Sequence, residues 1–148
     1  MVKKFFEYHY NESNFENLRE YFLNAIDNGF DLTSWEEPEV DIPNINLRKY
    51  TNLIYPRLTI KYDNKDYQME SVFKNLKELN LEILFLLPTN KDIYFIDYSR
   101  FFGMGILSQI EDSLNVKLIW INKDSINGYH HENKMILHIN MLFGSEKN

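Results

Sequence analysis

Two hydrophobic periods alternate along this 148-residue chain, so it must fold with strands and helices sharing a core. Lys3–Tyr10 is rich in Phe and Tyr and reads as a first strand. Ser13 and Glu16 then stand at capping-box spacing. Phe15, Leu18, Phe22, Ala25 and Ile26 recur at helical intervals and Gly29 closes them, which predicts a helix from about Asn14 to Asn28. From Phe30 to Tyr55 the period is lost and Pro38 and Pro43 interrupt, so a long connection is expected, with a short strand near Ile45–Tyr50.

After Pro56, Leu58, Ile60 and Tyr62 alternate with Arg57, Thr59 and Lys61, the pattern of a half-exposed strand. Asp63–Asp66 is turn chemistry, and Tyr67–Glu70 is expected to return as its hairpin partner. Val72, Phe73, Leu76 and Leu79 suggest a short helix, and the apolar run Leu81–Leu87 a buried central strand. A strand at Ile93–Ile96 follows. Ser99 is placed to cap a helix carrying Phe102, Ile106, Ile110 and Leu114, with Gly103 and Gly105 weakening its first turns. Strands at Val116–Ile121 and Met135–Leu142 flank a polar turn at Lys123–Gly128, and Gly144–Asn148 reads as a frayed tail. The expected fold is α+β (mixed α/β): a single sheet of about five to seven strands with about three helices packed on it. Length and the absence of a linker or repeat make residues 1–148 a single globular domain.

Composition narrows the function classes. With no cysteine, a disulfide scaffold, a Cys-ligated metal and a thiol nucleophile are excluded. Neither a signal peptide nor an apolar run of membrane-spanning length is evident, so no membrane contact and a cytoplasmic location are expected. Asn outnumbers Gln and Lys outnumbers Arg, biases that favour codons rich in A and T. The formal charge is −6, which argues against direct nucleic-acid binding, since that rests on clustered Lys and Arg.

The charge is unevenly spread. Residues 1–47 hold ten acids and three bases, whereas the remainder is close to neutral. From Glu20 to Leu47 there are seven acids and neither Lys nor Arg. Asp31, Glu36, Glu37, Glu39 and Asp41 surround Trp35, within the irregular segment. Carboxylates steer and pair with cations, and an indole supplies contact area, so these six residues are the expected surface for a basic protein partner. The competing reading packs Trp35 on the sheet and leaves the acids as a solvated rim.

Chemistry-bearing residues are sparse. His130 and His131 are adjacent, so on a strand they point to opposite faces, and no HExxH spacing accompanies them. His138 alternates with Leu137 and Ile139 and so shares a face with Ile136 and Asn140. Asp97 and Arg100 lie where a strand passes into a helix, a place where open α/β sheets bind ligands. A helix cap explains them equally well. No phosphate loop and no GxSxG elbow is present. No metal and no cofactor is expected.

In size, acidity and lack of cysteine the chain resembles the immunity proteins that bacteria pair with polymorphic toxins. That resemblance implies a non-enzymatic inhibitor, an antitoxin, that binds a basic toxin or nuclease domain. A phage inhibitor mimicking nucleic acid shares the same character. The alternative is a small hydrolase or transferase using Asp97, Arg100 and one of His130, His131 and His138. Self-association through the long irregular segment is compatible with either.

Overall fold

The computed structural model describes residues 12–35, 42, 45–63, 68–86, 93–97, 102–103, 105–127 and 134–148. The expected strand at Lys3–Tyr10 lies outside them. The fold is α+β. Helices α1 (Glu12–Leu18) and α2 (Leu23–Asp27), joined by a 3-10 turn at Arg19–Phe22, form one helical run. Ser13 is the second residue of that run, not the residue before it. Its end matches the sequence: Gly29 N–H bonds the Ile26 carbonyl at 3.2 Å and Phe30 N–H the Ala25 carbonyl at 3.0 Å. This paired closure satisfies carbonyls that would otherwise be orphaned, and it tucks Phe30 into the core.

β1 (Asp31–Ser34) follows, then a 3-10 turn at Leu47–Lys49, β2 (Tyr50–Ile54) and β3 (Pro56–Asp63). β4 (Gln68–Asn75), a 3-10 turn at Leu76–Glu78, β5 (Asn80–Leu86) and β6 (Ile93–Asp97) come next. Helix α3 (Ile106–Leu114), β7 (Lys117–Asn127) and β8 (Lys134–Glu146) complete the order. Among the described residues two antiparallel sheets result. One has five strands, in the order β1-β3-β8-β2 with β7 also on β8. The other has three, β4-β5-β6, with the apolar β5 at its centre as its composition predicts.

Several expectations are corrected. Among the described residues the strands form two sheets and not one. The helix expected over Val72–Leu79 is the end of β4 plus a single 3-10 turn, so among the described residues helices occupy two places and not three. β3 does not form a hairpin with the segment after it; it pairs with β1 and β8, and β4 pairs with β5. α3 starts only at Ile106, because Gly103 and Gly105 adopt φ of 80° and 67°. Such angles suit glycine and stop a right-handed helix, so these residues precede α3 and do not weaken it from within. β7 runs through the supposed polar turn to Asn127. The supposed tail is strand: Tyr50 faces Glu146 and Thr51 faces Ser145.

β8 organises the large sheet. β7 lies along one of its sides, and β3 and then β2 lie end to end along the other. Its residues alternate between two environments. Leu137, Ile139, Met141 and Phe143 join Leu58 and Ile60 of β3 in the main core, under Leu18, Phe22 and Ala25 of the first helical run and Ile106, Leu107 and Ile110 of α3. Phe30 and Phe102 meet edge to face at 5.4 Å and fasten the two helical regions together. Leu142, on the other face, joins Leu53, Tyr55, Ile42 and Leu47 in a second cluster, with Trp35, Ile119 and Trp120 at its margin.

Gly144 is buried where these clusters meet β2. A Cβ built there would lie 2.7 Å from Leu53 Cδ2, 2.9 Å from Ile119 Cδ1 and 3.3 Å from the Thr51 carbonyl. Gly144→Ala is therefore expected to cost about 1–3 kcal/mol, the range for overpacking a filled core. Urea unfolding followed by circular dichroism checks this: the midpoint should fall with an unchanged slope.

Candidate functional site

The second face of the large sheet carries its polar residues. Directly paired residues of antiparallel strands share a face, so register alone aligns two rows across four strands. One row runs Asp31, Thr59, His138, Asp124. The other runs Thr33, Arg57, Asn140, Asn122. The ends of the rows are wet: Asp31, Thr33 and Asp124 are exposed. Their centre is not, since Thr59 and Asn140 are buried polar residues on an otherwise half-open face.

Burial of those groups is matched by hydrogen bonds, as it must be. Arg57 Nε donates to Asn140 Oδ1 at 2.6 Å. The Asn140 amide nitrogen then donates to Asn122 Oδ1 at 3.0 Å and Asp124 Oδ2 at 3.1 Å. Because Arg57 can only donate, the Asn140 oxygen must face it, which fixes the orientation of the amide. In the neighbouring row the Thr59 hydroxyl and His138 Nδ1 share a bond of 2.8 Å. His138 therefore occupies the face its alternation predicts, held by a threonine. Among the described residues no group of three or more His, Asp or Glu is placed to hold a metal ion.

Trp35 follows β1 at the margin of this face. Its backbone N–H continues the ladder to the Tyr55 carbonyl at 3.0 Å. Its indole Nε1–H donates to the Met141 carbonyl at 2.7 Å. The ladder between β3 and β8 ends at the Arg57–Asn140 pair, and the residue that precedes Arg57 is Pro56, which has no N–H to give. The indole supplies the missing donor. The ring also meets Tyr55 at 5.7 Å and Trp120 at 5.5 Å. Trp35 is thus half-buried and bonded within its own chain, as the packing reading of the sequence has it.

Asp31 is exposed on β1, and Glu36, Glu37, Glu39 and Asp41 lie outside the described residues. Of the residues weighed for catalysis, Asp97 ends β6 in the small sheet whereas His138 belongs to β8 in the large one. Arg100, His130 and His131 lie outside the described residues. Arg57 and Asn140 enter the sequence reading only as strand positions, and Asn122 and Asp124 are not singled out there. The available signal is the pair His138 and Asn140, two residues apart on one face, among apolar neighbours in the final strand. Among the described residues no helix is long and apolar enough to cross a membrane. Comparison of the chain with models of protein families, with curated proteins and with solved structures finds no match in any of the three.

Trp35→Phe keeps an aromatic ring but removes the donor, leaving the Met141 carbonyl without its indole partner. The expected loss is about 1–3 kcal/mol, the range for a buried polar group left unsatisfied. Chemical denaturation of the variant against the parent measures it; equal stability would mean that water replaces the indole.

Proposed function

We propose that this chain is a cytoplasmic, non-enzymatic inhibitor of the immunity-protein kind, which neutralises a basic toxin domain through its acidic amino-terminal third. One observation carries the reading. The described carboxylates of that region, Glu16, Glu20, Asp27 and Asp31, are all exposed. Among the described residues no ion pair joins any of them to a lysine or arginine. A concentration of negative potential with no ion pair to a lysine or arginine among the described residues favours a cationic partner, and it speeds encounter with one. The partner-binding surface is read as Asp31 with Glu36, Glu37, Glu39 and Asp41, flanked by the half-exposed edge of Trp35.

Trp35 contributes here as a fixed margin, since its hydrogen-bonding group is already engaged. The acids supply steering and specificity. This division accords with interfaces in which charge sets the on-rate and a rigid aromatic sets the register.

The test is capture of the cognate partner from the source cell by the parent chain and by the triple variant Glu36→Lys, Glu37→Lys, Glu39→Lys. The parent should retain a basic protein at low salt and release it as salt screens the charges. The triple variant should lose it while unfolding at an unchanged temperature. Unaltered capture by the variant removes the acidic surface from the explanation.

A further inference from the structure

Arg57 differs from the other charged residues on the polar face of the large sheet. It is half-buried on β3, yet among the described residues no ion pair joins it to a carboxylate. A cation withdrawn from water is ordinarily paired. Its Nε–H is engaged by Asn140 Oδ1 at 2.6 Å, and Asn140 is 3% exposed and held in turn by Asn122 and Asp124. The guanidinium is planar, so anchoring Nε on a buried amide fixes the fork and leaves the two Nη groups for a second acceptor.

The surroundings define that acceptor. On one side of the Arg57 row lie the half-buried indoles of Trp35 and Trp120, 5.5 Å apart. On the other lies the row that carries exposed Asp31 and Asp124 at its two ends. Lys61 is exposed one row further out, so acids stand between the two cations. A carboxylate matches the fork in charge and in shape. A phosphate dianion carries more charge than one guanidinium balances, and it would face both aspartates. Arginine and tryptophan side by side on an open face are the residues enriched at the centres of protein interfaces.

We propose that Arg57 sets the specificity of the partner surface by receiving a carboxylate side chain of the basic protein partner, while Asp31 and Asp124 take cations that flank it. The identity of the occupant rests on the preceding reading, which this inference sharpens: the partner's contact face is basic with an acid at its centre. Charge complementarity requires both signs. A partner that brought only cations would cover Arg57 and leave a guanidinium buried without an anion. A partner that brought only an acid would be repelled by the aspartate row.

The test uses two synthetic peptides on the intact chain, acetyl-Arg-Gly-Glu-Gly-Arg-amide and the same peptide with Gln in place of Glu. Asp31 and Asp124 lie three strand spacings apart, roughly 14 Å, and the two arginines of the extended peptide are separated by roughly 13 Å. Binding is read at low salt from tryptophan emission, which arises beside Arg57. The parent should bind the Glu peptide saturably and the Gln peptide about tenfold more weakly. Arg57→Lys keeps the charge without the fork and should narrow that ratio, and Arg57→Gln should abolish it. Equal binding of the two peptides by the parent, no saturable response to the Glu peptide, or an undiminished ratio in folded Arg57→Gln overturns the proposal. The parent's ratio needs no variant, so it decides even if Arg57→Gln fails to fold. The peptides involve no natural partner, so unaltered capture by the triple lysine variant counts against the preceding reading and not against the Arg57 site.

Discussion

The large sheet depends on one hydrogen bond that is not part of its ladder. β8 needs partners along its whole length, yet the strand opposite changes from β3 to β2 midway, and the change begins at a proline. Trp35 Nε1–H reaches the Met141 carbonyl at that break. Without it, a buried carbonyl would lie in the middle of the central strand with nothing to accept. The side chain that closes the gap also anchors the aromatic group of Tyr55 and Trp120. Backbone satisfaction and side-chain packing meet in a single residue.

From that strand the two faces of the sheet separate by alternation. Odd-numbered residues from Leu137 to Phe143 build the main core. His138 and Asn140 face the other way, into a hydrogen-bonded polar array, and Leu142 follows them into the second cluster. Shifting the register of β8 by one residue would place Asn140 under the helices and Ile139 among Arg57, Asn122 and Asp124. Both outcomes carry heavy desolvation costs, so the polar array specifies register as firmly as the core does.

What is readable in the chain divides by range. The helix ending at Asp27 is legible because its signals are local: an apolar face and a glycine at the right distance. β1 is not, since Asp-Leu-Thr-Ser has no apolar pattern and becomes strand only by lying against β3. Val72, Phe73, Leu76 and Leu79 fit helical spacing, yet pairing with β5 takes Val72 and Phe73 into a strand. Strand preference is decided by such neighbours. The polar face is least legible of all. Arg57 and Asn140 are 83 residues apart, and nothing local in either segment announces the other. The acidic bias, by contrast, needs no fold to be seen; it is read from the order of charged residues alone.

The contact between Trp35 and Trp120 carries an optical consequence. They are the chain's two indoles, and their ring centres lie 5.5 Å apart. All tryptophan fluorescence of this protein therefore originates from one place, the seam where β3 hands over to β2. Two chromophores so close couple their transitions, and one of them has its N–H fixed on a carbonyl. Emission and near-ultraviolet ellipticity thus report the state of that seam, and a change in either reads out a disturbance of the sheet's central break without any added label.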